Sequence, residues 1–139
     1  MRVFALSDIH VDYPVNMDWV LGLSEFDYQQ DLLLLAGDIS DLPAKLETTF
    51  AALSRKFLKV CYVPGNHELW VKRCRTADSL TKFDWVMSLA RDIGLQTDIW
   101  HSDGLTIVPM LSWYDFSFGQ PGERLLKAWG DFYCCHWPQ

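Results

Sequence analysis

Asp8, His10, Asp38, Asn66 and His67 are the side chains of this sequence best suited to hold a divalent cation and move a proton. Asp8 and His10 lie two apart in Ser7-Asp8-Ile9-His10. In an extended segment both would point to the same side, so that a carboxylate oxygen and an imidazole nitrogen could grip one cation. Alone, the pair reads more readily as a polar strand end with Asp8 capping a turn. Asp38 follows Gly37, a residue that lets backbone and ligand approach closely. Asp41, three residues on, could share that loop or cap the next helix. Pro64-Gly65-Asn66-His67-Glu68 is the most specific piece. It gathers a rigid proline, a permissive glycine, a neutral hard oxygen donor, an imidazole and a carboxylate, a set that packing alone rarely needs. An unligated histidine beside such a donor can protonate a leaving oxygen.

Each cluster follows a short apolar run: Val3 to Leu6, Leu32 to Ala36, and Val60 to Val63. The runs are apolar throughout rather than alternating, the pattern of strands covered on both faces. Between the first two, Trp19, Val20, Leu23 and Phe26 fall at helical spacing after Asn16, a candidate cap. Between the second and third, Asp41 could cap a helix that takes Pro43 into its first turn and buries Leu46, Phe50 and Leu53. The order is therefore β-α-β-α-β, with crossovers of about 25 residues that suit parallel strands. In open parallel sheets ligands bind beyond the carboxyl ends of the strands, which is where Asp8, Asp38 and Asn66 fall.

Residues 77–93 read as a further helix, with Phe83, Val86, Met87 and Ala90 on one face and Gly94 as its stop. From Ile99 to Met110, two apolar runs flank Ser102-Asp103-Gly104, so a hairpin is expected to add antiparallel or edge strands to the sheet. The remaining tail is crowded with aromatics, including Trp113, Phe116, Phe118, Trp129 and Trp137, and needs something to pack against.

At 139 residues, 50% hydrophobic and 22% charged, the chain is long enough for one packed domain and unlike a disordered one. Its net charge of -6 argues against a long nucleic acid as partner, whereas carboxylates awaiting metal are compatible with acidity. Cys61, Cys74, Cys134 and Cys135 show no C-x-x-C spacing and read as reduced thiols. The apolar run after Met1 and Arg2 is too short for a signal-peptide core and no run is long enough to span a membrane, so a cytoplasmic location without membrane partners is expected.

Asp8-Ile9-His10, Gly37-Asp38 with Asp41, and Gly65-Asn66-His67-Glu68 resemble, in order and spacing, the D-x-H, G-D-x-x-D and G-N-H-[D/E] motifs of the calcineurin-like metallophosphoesterases. The resemblance implies that Asp8 and His10 bind a first metal, Asp38 bridges two, and Asn66 binds the second. His67 then faces the substrate as general acid or phosphate contact. It further implies Mn, Fe or Zn as cofactor and a phosphate ester as substrate. Two cations about 4 Å apart would generate a hydroxide nucleophile for in-line attack. Such proteins carry later histidines, one alone and then a G-H-x-H pair, whereas here the others are only His101 and His136. The expectation is a partial α/β phosphoesterase fold over residues 1–139, a shortened single domain with one metal rather than two and impaired hydrolysis. Its aromatic tail would serve self-association or a complementing chain. The alternative is a catalytically incomplete binding or scaffold protein that uses the same tail. Five metal-site residues retained together favour the enzyme, because buried acids are costly without metal.

Overall fold

The computed structural model describes every residue except Arg75, Asp103 and Gln139. Three strands, β1 (Val3–Leu6), β2 (Leu32–Ala36) and β3 (Lys59–Val63), form a parallel sheet in the order β1-β2-β3. Val3 pairs with Leu32 and Leu32 with Lys59, so all three strands end at one edge of the sheet. The crossovers are α1 (Pro14–Gly22) and α2 (Pro43–Lys56), and α3 (Ser79–Ile93) packs on α2. The expected β-α-β-α-β unit is thus present.

The core lies between the sheet and these helices. Leu33, Leu35, Val60 and Tyr62 meet Leu46, Phe50 and Leu53 of α2 and Val86 and Ala90 of α3, all fully or almost fully buried. Phe50 meets Tyr62 edge to face at 4.8 Å between ring centroids. β2 and β3 are buried as an apolar run requires, but β1 is not covered on both faces. It is an edge strand, and Val3 is 48% exposed.

Helix boundaries correct several sequence expectations. α1 starts after Tyr13 with Pro14 in its first turn, not at Asn16, because a proline already fixed near helical φ initiates the turn. Asn16 instead donates to the carbonyls of Ile9 and His10 at 2.7 and 3.2 Å. The helix ends at Gly22, so of the expected apolar face only Val20 is fully buried, and Phe26 lies beyond it in solvent. Leu42, not Asp41, precedes α2 as its cap. α3 is capped by Asp78, which accepts from the Thr81 amide at 2.8 Å, and it ends at Gly94 with φ +97°, as the sequence implied.

The hairpin forms as β4 (Trp100–Ser102) and β5 (Leu105–Ile107), paired antiparallel, with the Asp103 of its expected turn outside the described residues. Among the described residues it makes a separate two-stranded sheet rather than extending the first. What the parallel sheet gains is a single parallel bridge from Cys61 to Gln96, just after α3. The tail carries two short helices, α4 (Glu123–Ala128) and α5 (Asp131–Cys134). Its aromatics pack partly against one another, Trp113 tilted on Tyr114 and edge to face with Trp137, yet Phe118 is fully exposed. No helix is long and apolar enough to cross a membrane among the described residues.

Candidate metal centre

The three strand ends are drawn together by backbone that leaves the extended region. Asp8, His10 and Asp38 all have positive φ, at 53°, 38° and 54°, so the first two are not in an extended segment as the sequence suggested. The ladder continues in altered form: the amides of Asp8, His10 and Val11 donate to the carbonyls of Gly37, Asp38 and Ile39 at 3.2, 3.0 and 2.9 Å. Left-handed backbone at three non-glycine positions is costly, and such clusters mark functional loops.

Gly37 and Gly65 allow the second and third strand ends to touch. A Cβ on Gly37 would stand 2.5 Å from the Gly65 Cα, and one on Gly65 would stand 2.6 Å from the Asp38 nitrogen. Glu68, fully buried, binds this crossing from inside. Its Oε2 accepts from the amides of Asp38 at 2.9 Å and Gly65 at 2.6 Å, and its Oε1 from Ile39 at 2.7 Å and Ser40 at 3.2 Å. Burial pushes the Glu68 carboxyl up, the Gly65, Ile39 and Ser40 amides pull it down, and the nearby Asp38 charge pushes it up again. Asp38 Oδ1 in turn accepts the His67 amide at 3.2 Å, in the first turn of a 3-10 segment over His67–Leu69.

The result brings His10, Asp38 and His67 together, each offering a ligand atom within 4.8 Å of the other two, and each half-buried. The His10 and His67 rings lie 4.7 Å apart. Trp70 stacks on His67 at 3.7 Å and 28°. Burial lowers the His67 pKa, Asp38 raises it, and His10 lowers it. The His10 imidazole and the Asp38 carboxylate, with the His67 imidazole beside them, are donor chemistry that suits Mn, Fe or Zn, so the residues fit a divalent cation. Asp8 does not join that group of three. Asp8 is exposed and shares a hollow with Asn16 and Trp19, while the Asn66 amide nitrogen donates to Asp131 at 2.7 Å.

His101 and His136 lie elsewhere: His101 Nδ1 meets Thr106 across the hairpin at 2.9 Å, and His136 Nδ1 meets the Ala77 carbonyl at 3.1 Å. Asp41 sits at the cleft wall, ion-paired to Arg73, which also reaches Asp12 at 3.0 Å. Lys72 stands on the rim of the same cleft, which holds His10 and His67, while the Arg73 charge there is met by Asp12 and Asp41.

A calcineurin-like phosphoesterase family model matches residues 1–136. The chain belongs to this family. Among curated proteins, this calcineurin-like phosphoesterase is similar to the [acyl-carrier-protein] phosphodiesterase PptH of Mycobacterium tuberculosis (strain ATCC 25618 / H37Rv). The two are 30% identical over 131 residues, covering 88% of this chain and 40% of the relative. Among solved structures it is similar to phosphopantetheinyl hydrolase (PptH) from M. tuberculosis, with a TM-score of 0.71 and 29% identity over 88% of this chain and 48% of that one. The chain thus spans less than half the length of the proteins it matches.

Sequence reasoning placed the five candidate residues at the strand ends but missed three residues that shape the candidate metal centre. Glu68 was visible as the last letter of a motif, without a role. Trp70 and Asp131 carried no local signal, since each acts through a partner distant in sequence or through ring stacking.

Proposed function

We propose that this chain hydrolyses a phosphate ester with the help of a divalent cation held at the carboxyl edge of its parallel sheet. The convergence of His10, Asp38 and His67 at the strand ends is the observation that carries the reading. His10 and Asp38 are the core of the cation site, Asn66 adds an amide oxygen from the adjoining loop, and Asp8 joins them by turning in from the hollow it shares with Asn16 and Trp19. When bound, a divalent cation supplies Lewis-acid polarisation of the phosphoryl group and makes water more acidic.

The chain's own side chains do the rest. Asp38 is anchored through its amide by Glu68 and through its carboxylate by the His67 amide, so its second oxygen is free to face the cation. Burial lowers the His67 pKa while the Asp38 charge raises it, and Trp70 stacks on its ring, which leaves an imidazole edge to contact the phosphate or, in its protonated form, to pass a proton to the leaving oxygen. Lys72 on the rim attracts the anionic substrate.

A phosphodiester is the favoured substrate class, since the mycobacterial relative is named for one. An apolar hollow bounded by Gly65, Leu69, Phe83, Trp113 and Trp137 opens beside the loop that carries Asn66 at its Gly65 end and suits an uncharged arm on such a substrate. Exposed tail aromatics such as Phe118 and Trp129 favour self-association, which sedimentation over a concentration series would read.

The deciding test assays the purified chain with Mn²⁺ on chromogenic phosphomonoesters and phosphodiesters, beside calorimetric Mn²⁺ titration. Asp38→Asn should weaken Mn²⁺ binding and remove turnover. Unchanged Mn²⁺ affinity in that variant would sink the reading.

A further inference from the structure

Asp131 is a carboxylate from the tail, 65 positions from Asn66, yet it is only 4% exposed and lies against the candidate metal centre. Its Oδ1 accepts from Asn66 Nδ2 at 2.7 Å and from Trp70 Nε1 at 2.6 Å, and its Oδ2 accepts from Trp129 Nε1 at 2.9 Å. All three partners are neutral donors. Burying an anion among neutral donors is expensive, and a tail that needed only packing there would be served as well by an apolar side chain.

The tail is fastened so that this carboxylate arrives in place. Val71 donates to the Cys134 carbonyl at 2.8 Å, Ser79 to that of His136 at 2.7 Å, and the His136 amide returns to Ser79 Oγ at 2.9 Å. Gly130 permits the approach, since a Cβ there would stand 2.8 Å from Trp70 Cζ2.

We propose that Asp131 is a positioning residue for the metal centre, fixing which face of the Asn66 amide is offered to a cation; this rests on the reading of Asn66 as a metal donor. The two ends of an asparagine amide are nearly the same in shape, but an ionised carboxylate only accepts hydrogen bonds. Asp131 therefore binds the Nδ2 end and leaves Oδ1, the end a cation needs, as the free donor. The same Oδ1 atom of Asp131 holds the Trp70 indole, whose ring lies on His67. One carboxylate thus orients side chains on two flanks of the site, in the manner of outer-shell partners that tune metal ligands.

The test titrates Mn²⁺ into the metal-free chain by calorimetry, for the wild type, Asp131→Asn, Asn66→Ala and the double variant. An asparagine at 131 keeps the shape but can pair with either end of the Asn66 amide. Asp131→Asn should therefore weaken Mn²⁺ binding by roughly 10-fold, and Asn66→Ala by at least as much. In the double variant the 131 substitution should add almost nothing to the loss caused by Asn66→Ala. A 131 effect that is absent, or of equal size in both backgrounds, overturns the inference while leaving Asn66 as a ligand. An Asn66→Ala chain that binds Mn²⁺ as the wild type does overturns the ligand reading and the inference with it. Should Asp131→Asn fail to fold, amide NMR of the unmodified metal-free chain decides: the Asn66 side-chain NH₂ protons should exchange slowly, and free exchange of those protons overturns the proposal.

Discussion

Glu68 holds Asp38 from behind, its Oε2 taking the Asp38 amide at 2.9 Å, while Asp38 Oδ1 takes the amide of His67 on the other side. The chain therefore closes a loop, His67 to Asp38 to Glu68, in which the residue next to His67 fixes the residue that fixes His67. This ties the ends of the second and third strands together despite the unfavourable backbone at Asp38.

Glu68→Gln should be far more damaging than its near-identical shape suggests. A glutamine amide has one accepting end, so whichever way it turns, two of the four amide donors from Asp38, Ile39, Ser40 and Gly65 face an NH₂ group instead of an oxygen. Each orphaned buried donor costs about 1–3 kcal/mol, and relief of the buried charge offsets part, leaving a loss of about 3 kcal/mol. Urea denaturation of the two proteins measures it, and a change under about 0.5 kcal/mol would remove Glu68 from the architecture proposed for it.

What could be read in advance follows from how local each cause is. The parallel unit was legible because Leu32 to Ala36 and Val60 to Val63 are apolar without a break, and glycine and acidic residues mark where each run stops. Motif spacing likewise led to His10, Asp38 and His67. The left-handed turns at Asp8 and His10 were not legible, since neither side chain announces positive φ. Asn16 was misread because an amide in a helix's first turn looks the same whether it caps that helix or reaches back to Ile9 and His10. Asp41 failed likewise: its partner Arg73 is 32 positions away, and only the folded chain brings them together. The hairpin was found but its attachment was not, because strand pairing beyond a tight turn depends on which sheet edge is free.

Acid stability should depend on a pair at the opposite end of the sheet. Asp31 accepts from the Arg2 guanidinium and from the Arg2 amide at 2.6 Å. The side-chain hydrogen bond from Arg2, together with its backbone amide, holds the Asp31 carboxyl below the ordinary carboxylate range, with burial opposing. A lowered folded-state pKa means that the unfolded chain binds more protons in the window between the two values, so stability rises with pH there. The contribution is complete above about pH 4 and is lost as pH falls through the folded-state value. Arg2→Gln should lower stability at pH 6 and converge with the wild type near pH 2, so the acid limb of a stability curve becomes shallower. Parallel curves for the two proteins would contradict this.

Gly37 and Gly94 share positive φ, at 65° and 97°, yet substitution should separate them sharply. At Gly94 a Cβ meets nothing within 4 Å, so alanine adds only the strain of a left-handed non-glycine residue, about 1 kcal/mol, at the end of α3. At Gly37 the same strain is joined by collision with the backbone of Gly65 and Pro64, which no rotamer change can relieve. The two strand ends must move apart, and with them the crossing that Glu68 binds. Gly37→Ala should cost at least about 3 kcal/mol and weaken Mn²⁺ binding, whereas Gly94→Ala should bind Mn²⁺ as the wild type does. Thermal melts and calorimetry on both variants make the comparison. Equal behaviour would mean that the contact between Gly37 and Gly65 does not hold the candidate metal centre in shape.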